Sequence, residues 1–464
     1  MADTNELTPE EGDEQNQRLF RDLRRIYPNQ VEIAQPLARI QQRLFHGGNE
    51  ILCDDASTRP ALWLLGTQPS RASAVNTQGQ AWQRRGSQVA AAVVAALLVG
   101  TLILVLNLAH QSHTGGPRTP SDPTEVPTSL HMIDATTGWM LTENAVLRTT
   151  DGGSHWKNVT PANTPLSLES VADFHTASLA WIVTRQVHAA TAQVLRTIDG
   201  GQTWQQSTVQ SPLFVKQITF IDAQHGWILS GKKYAAGAPA EIAQVLRTVD
   251  GGKTWQSVST ALFSDVTPSG HLPYGGQKSG IHFLNVSTGW VTGTVMLNDL
   301  AWLYVTHDGG STWYQQTLPR PSGVPSAQLS IQSPTFFSAT DGILPVKFSD
   351  LTTARDIATV IYVTHDGGMT WKPTTPVSAV LRAVDFLDTQ HGWVTDGTSL
   401  FMTSDGGQHW TRLAASANFK QVTQLDFVSG ILGWAISEQG NGSSSLLKTM
   451  DGGQTWTPIP IATS

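Results

Sequence analysis

The chain has 464 residues, with 29 Lys and Arg against 36 Asp and Glu, a formal net charge of −7. A phosphate-binding surface needs clustered cations, so this balance argues against nucleic acid as a partner. Charged residues make up only 14% while Gly numbers 41 and Trp 16, which suits β-structure with many turns, and the single Cys53 excludes an intrachain disulfide.

Residues 1–88 read as a cytoplasmic segment, acidic and disordered over its first 17 positions. Leu19, Phe20, Leu23, Ile26 and Tyr27 then fall at helical spacing, with Arg21, Arg24 and Arg25 on the other side. A second helix can start near Pro36, bury Leu37, Ile40 and Leu44, and stop at Gly47-Gly48. Two such helices form either a tether lying on anionic lipid or a docking segment for a cytoplasmic partner, as in an anti-sigma-like module. Residues 89–109 are almost wholly apolar, broken only by Gly100, Thr101 and Asn107. As a helix this run spans ~30 Å, the thickness of a bilayer's hydrocarbon core. Arg84 and Arg85 precede it, and only Arg118 occurs in the stretch that follows. The positive-inside rule places the N-terminus in the cytoplasm and the remainder outside. Residues 110–128, with Pro117, Pro120, Pro123 and Pro127, read as a semi-extended spacer.

From 129 to 464 one motif recurs seven times, Thr-x-Asp-Gly-Gly-x-Thr/His-Trp. Its acids are Asp151, Asp199, Asp250, Asp308, Asp366, Asp405 and Asp451, and its closing indoles Trp156, Trp204, Trp255, Trp313, Trp371, Trp410 and Trp456. A spacing of ~40–60 residues marks a repeat architecture. Each unit divides into four strands, in the first unit Leu130–Asp134, Gly138–Thr142, Ala145–Thr150 and His155–Thr160. The second strand opens on Gly-Trp or a near equivalent: Gly138-Trp139, Ala180-Trp181, Gly226-Trp227, Gly289-Trp290, Gly342-Ile343, Gly392-Trp393 and Gly433-Trp434. Four antiparallel strands repeated radially build a β-propeller. The expected fold is therefore all-β, a seven-bladed β-propeller preceded by one transmembrane helix and a short, partly helical N-terminal segment.

The glycines supply the positive φ that a tight turn requires, and the Asp carboxylate can accept N–H groups of its own turn. One Asp followed by two glycines lacks the oxygen ligands of a calcium loop, so neither metal nor cofactor is expected. Seven equivalent acids without a second partner do not make a catalytic centre.

The repeated Thr-x-Asp-Gly-Gly-x-Thr-Trp resembles the Asp-box, or BNR repeat, of sialidases and sortilin-type receptors. Together with the Gly-Trp strand it most resembles the photosystem II assembly and stability factor family, over roughly residues 129–460. That resemblance implies a propeller that binds photosystem subunits during assembly and is not an enzyme. The cytoplasmic segment and membrane anchor depart from that family, and many non-photosynthetic bacterial proteins share the repeat. A sialidase-like hydrolase is the alternative, with a glycan-binding receptor module behind it. The hydrolase needs converging Arg side chains, a Tyr nucleophile and acid/base carboxylates. Its Phe/Tyr-Arg-Ile/Leu-Pro motif is missing, Leu318-Pro319-Arg320-Pro321 having the wrong order and place.

The insertions 185–192, 230–243, 348–356 and 437–445, and the inter-blade stretches 261–280 and 319–333, fall on the face opposite the Asp-box turns. That face is the expected protein-binding surface, with Lys232, Lys233, Tyr234, His271 and Tyr274 as contacts. A second candidate is a basic arc: Arg148, Arg196, Arg247 and Lys448 stand three residues before the box Asp in four successive units of a closed ring, the others having Val305, Val363 and Met402. The arc reads either as stems packed between blades with heads on backbone carbonyls, or as a docking strip for an acidic segment.

Overall fold

The structure, a computed structural model, describes residues 126–184, 191–211, 213–233, 240–262, 268–378, 382–414, 419–438 and 444–461. The two N-terminal helices, the apolar run 89–109, Cys53 and most of the spacer lie outside the described residues. Among the described residues no helix is long and apolar enough to cross a membrane.

The described chain is all-β and entirely antiparallel in its sheets, with a propeller-like arrangement of short meanders. In the first repeat the strands are Pro127–Met132, Gly138–Thr142, Val146–Thr149 and Lys157–Asn158. The second strand is buried at every position and the fourth is exposed, so the apolar side chains of the middle strands form the core. Five repeats form separate four-stranded sheets, while the fourth and fifth share a ten-stranded one. They join because Gly289–Asn298 runs long enough to pair Thr294 with Ser330 and Asn298 with Gln328.

Gly138 pairs with Met132 on one side and Thr149 on the other, so the first turn and the Asp-box turn of each repeat leave from the same edge. That first turn is closed by a short polar side chain. Asp134 takes the N–H groups of Thr136 and Thr137, and Asp222 and Asp388 repeat the pattern. The box turn docks on it: Gly152 N–H donates to Thr136 O at 2.7 Å and Gly251 N–H to Gln224 O at 2.8 Å.

Gly226, Gly289, Gly392 and Gly433 of the Gly-Trp pairs each make room for a Phe ring opposite, and Gly138 for the Met132 thioether. A Cβ on Gly226 would stand 2.5 Å from the Phe220 ring, which itself stacks on Trp181 of the preceding repeat at 3.5 Å. Phe283 on Trp227 (3.6 Å) and Phe427 on Trp393 (3.8 Å) repeat this. The equivalent rings stand further apart in two repeats, Phe174–Trp139 at 5.5 Å opposite Ala180 and Phe336–Trp290 at 5.0 Å opposite Gly342. Gly226→Ala is accordingly expected to lower stability by about 1–3 kcal/mol, as overpacking does. Denaturant unfolding followed by Trp fluorescence tests this, and an unmoved midpoint would show that Phe220 is free to shift.

The first and last repeats meet without sharing a strand. Asp426 accepts Met132 N–H at 2.6 Å, Gln424 accepts Leu130 N–H at 3.0 Å, and Trp434 donates to Gly152 O. Leu130, Met132, Met140 and Leu147 form one apolar cluster with Trp434, Ile436 and Leu446.

Several expected bounds need correction: 261–280 and 437–445 run into the strands Gln277–Phe283, Gly433–Glu438 and Ser444–Thr449, and the first repeat's fourth strand is only Lys157–Asn158. The first inner strand ends at Met132, because Ile133 and Asp134 enter the capped turn. The stretch 230–243 is partly ladder, Ser230 to Lys233 pairing with Gln244 to Glu241. The stretch 319–333 contains the strand Gln328–Ile331, whose Leu329 and Ile331 are buried.

Candidate functional site

The seven box acids are engaged within their own turns. Asp151 Oδ1 accepts the Thr149 hydroxyl and the His155 N–H, both at 2.9 Å, while Oδ2 faces His155 Nδ1 at 2.7 Å. In the Asp199, Asp250, Asp308, Asp366 and Asp451 turns a Thr hydroxyl takes the place of that His, and Asp405 pairs with His409. These bonds hold the carboxylates ionised. The His155 N–H brings Asp151, and the Thr203 hydroxyl Asp199, down to about 2. The first Thr of the motif also accepts the N–H of the second Gly, at 2.9 Å in Thr149–Gly153. Both glycines have positive φ, 71° and 87° in the first turn.

Of the box indoles, Trp156, Trp313, Trp371 and Trp456 are buried, and Trp204, Trp255 and Trp410 half-buried. Trp255, Trp313 and Trp456 donate to the second Gly of their own turns, whereas Trp204 donates to Val159 O of the preceding repeat at 2.8 Å. Trp313 and Trp456 stand edge-on to Phe283 and Phe427, the rings stacked across the interfaces.

The basic arc is distributed one cation per interface. Arg148, Arg196, Arg247 and Lys448 each lie over the Gly-Trp indole of their own repeat, at 5.7, 5.8, 5.7 and 5.0 Å. Their heads reach the next repeat: Arg148 to Ala177 O, Arg196 to Ala223 O, Arg247 to Val286 O and Lys448 to Gly152 O. The heads therefore face separate carbonyls and do not converge.

On the opposite face Lys232 is exposed at the end of a long hairpin. Lys233 lies in the same strand, and Tyr234 falls outside the described residues. His271 is exposed, while Tyr274 is half-buried and its carbonyl accepts Lys278 Nζ at 2.8 Å. Gly270 O takes Trp313 N–H and Gly275 O takes the indole of Trp302, so the described part of this loop is pinned to the sheet.

Sequence reasoning missed two constellations. The first is a series of polar residues at one register position of the inner strands, opposite the Gly-Trp indole or Ile343: His131, Asp173, Thr219, His282, Thr335, Asp385 and Asp426. The signal was present, since each precedes the Phe or Met that sits six positions before the Gly or Ala. Three of the acids hold the next inner strand, whose edge N–H groups would otherwise go unpaired: Asp173 takes Phe220 N–H, Asp385 takes Phe427 N–H and Asp426 takes Met132 N–H. Burial raises Asp173 to about 7 and Asp385 to about 6, and burial with the Asp385 charge raises Asp426 well above the carboxylate range. Burial lowers His282 to about 4. His131 is exposed on its strand, and burial and then the neighbouring His175 hold its pKa below the usual imidazole value.

The second is a buried ionic cluster between repeats three and four. Glu241, 1% exposed, receives Lys216 Nζ at 2.7 and 2.8 Å and the Lys278 N–H at 2.5 Å. Lys278 Nζ is ringed by the carbonyls of Glu241, Tyr274 and Gly276 at 2.8–3.0 Å, over the Trp302 ring. Among the described residues no group of three His, Cys, Asp or Glu is placed to hold a metal ion.

The chain resembles photosystem II assembly factor-like proteins of the BNR type. The profile of the photosynthesis system II assembly factor YCF48 family matches residues 369–464, and that of the BNR/Asp-box repeat residues 362–373. Among solved structures, YCF48 bound to D1 peptide is similar at 16% identity and a TM-score of 0.48, over 73% of this chain and 98% of that one. The GH74 enzyme of Niastella koreensis follows at 14% identity and a TM-score of 0.50, over 72% of this chain and 54% of its own. The GH74 xyloglucanase of Xanthomonas campestris gives 15% and 0.49, over 72% and 54%. The chain thus spans about half of each of these two glycosidases. At these identities the likeness concerns the fold alone. No curated protein is significantly similar to the chain.

Proposed function

We propose that residues 129–464 form a closed seven-bladed propeller acting as a non-catalytic protein-binding or assembly scaffold, held outside the cytoplasm by a transmembrane helix at 89–109. The shared sheet reads as two blades zipped by the Thr294–Ser330 pairing, and the Asp426–Met132 and Gln424–Leu130 bonds close the ring. The anchor rests on the apolar run and on Arg84 and Arg85 before it.

One observation carries the non-catalytic reading: the box carboxylates, the arc cations and the inner acids Asp173, Asp385 and Asp426 are all engaged in turns and interfaces. The family profile over 369–464 supports an assembly role. Glycoside hydrolysis remains the second reading because Asp385 and Asp426 are neighbouring acids with raised pKa values, as a general acid requires. Each of these two carboxylates already grips a backbone N–H, which favours the structural role.

The test is affinity capture with the full chain in lipid nanodiscs. A variant with His271→Ala and Tyr274→Ala is expected to lose the partner, whereas Arg148→Ala with Arg196→Ala keeps it. Equal recovery by both removes the loop face as the binding surface, and loss only with the arginine variant moves the site to the arc. Turnover of aryl glycosides that disappears in Asp426→Asn would instead establish the hydrolase.

A further inference from the structure

The outer edges of the repeats are not alike. The fourth strand is two or three residues long in repeats one, four, five, six and seven. It is six long only in repeats two and three, as Gln205–Gln210 and Gln256–Ala261. Four of the five short strands carry Lys157, Lys372, Pro373, Arg412 or Pro458, the devices that keep an open sheet edge from pairing with other chains, while Tyr314–Gln315 of the fourth repeat is only two residues long. The two long ones carry neither charge nor proline. The third repeat breaks its edge with a register shift between Val245 and Leu246, whereas the second pairs through six unbroken registers. Among the described residues Gln205–Gln210 has a partner strand on one side only.

The direction of its free groups follows from the other repeats. Val159 N–H donates inward to Val146 O, Gln316 N–H to Leu303 O and Thr374 N–H to Ile361 O, each three residues after the box Trp. The residue two after the Trp therefore points its N–H outward, by the alternation of an antiparallel ladder. Proline occupies that position in repeats five and seven, Pro373 and Pro458, where it costs no ladder bond. In the second repeat the position is Gln206, followed outward by Thr208 and Gln210.

Beside this edge lies an open groove of about 700 Å³, formed where the first repeat's outer strand stops at Asn158 and the chain leaves through Pro161. Its lining includes the half-buried Trp204, held by its bond to Val159 O, with the exposed Lys157, Asn158 and Gln206. Among the residues that line it, Lys157 is the only cation.

We propose that Gln205–Gln210 is a docking rail on which an extended segment of a partner protein pairs as a fifth strand, with one acidic side chain of that segment directed to Lys157. Main-chain pairing supplies affinity, and the groove beside Trp204 selects the side chains. The inference rests on the protein-binding reading and names a site for it away from the 268–276 loop.

The probe is an array of alternating Thr/Val peptides of about ten residues, bearing Glu, Gln or Lys at one flank, applied to the full chain in nanodiscs. Glu-bearing peptides are expected to bind. Gln206→Pro, a substitution repeats five and seven already tolerate, should weaken them by about tenfold or more, the loss of one or more hydrogen bonds with the rail's continuity. Lys157→Ala should weaken only the Glu series. N-methylating alternate peptide bonds should abolish binding to the unaltered protein, which tests pairing even if Gln206→Pro misfolds. Absence of binding by any peptide, or binding indifferent to both Gln206→Pro and N-methylation, overturns the proposal. So does a homodimer abolished by Gln206→Pro, which would make a second copy the occupant. Partner capture unaffected by Gln206→Pro but lost on changing His271 and Tyr274 removes the rail and leaves the scaffold reading standing.

Discussion

Glu241→Ala is expected to destabilise the protein by about 3–5 kcal/mol, the cost of stripping one partner from a buried ion pair. The carboxylate is 1% exposed and answers two donors at once, Lys216 Nζ and the Lys278 N–H. Removing it leaves the Lys216 charge, only 24% exposed at its side chain, against the Lys278 carbonyl alone. It also frees the Lys278 N–H at the start of the fourth repeat's inner strand, which holds the third repeat to the fourth. Lys278 loses its nearest anion, and burial already lowers it to about 7 despite the Glu241 charge. Lys216→Ala should cost less, and the double variant should recover part of the loss, because an uncompensated charge is worse than none. Thermal unfolding of the four proteins measures the coupling. Strict additivity would mean that the pair holds nothing together.

Asp426→Asn is expected to be more stable than the unaltered protein at pH 8 and to lose that advantage toward pH 4. The native pKa of Asp426 stands well above the unfolded value, through burial first and the Asp385 charge second. Such a group contributes stability below its unfolded pKa, near 3.8, and that contribution is lost as pH rises through the folded value. Asparagine keeps an oxygen for the Met132 N–H and cannot ionise, so it fixes the favourable state. Asp173, raised to about 7, and Asp385, raised to about 6, work in the same direction. His282, lowered to about 4, opposes them, because its contribution is present above 6.5 and lost as pH falls through about 4. Only the difference between variant and parent isolates the acid. The alkaline advantage should reach roughly 2–4 kcal/mol, the order of cost of a buried charge with a single hydrogen-bond partner. Urea unfolding of both proteins from pH 4 to pH 8 measures it. A difference independent of pH would mean that Asp426 is ionised throughout.

Local chemistry set the repeats in the sequence. The Asp-Gly-Gly turn needs positive φ and an acceptor within a few residues, and Gly-Trp marks a strand start, so both could be read one unit at a time. The acids' confinement to their own turns follows from the same short range. Some interface contacts left a trace as well: the Phe six positions before Gly226 recurs in most units, though its meaning emerges only once Phe220 lies on Trp181.

Tertiary structure decided what depends on residues distant in the chain. Asp426 meets Met132 across 294 positions, and Glu241 meets Lys278 across 37. No periodicity encodes such pairs, because each is fixed by where two strands come to lie. The joining of repeats four and five turned on a few extra residues in Gly289–Asn298, and the open edge at Gln205–Gln210 on the early stop of a different repeat's strand at Asn158. A sequence can specify a strand, but whether its free side meets another strand, a proline or open groove depends on the neighbour that packing places beside it.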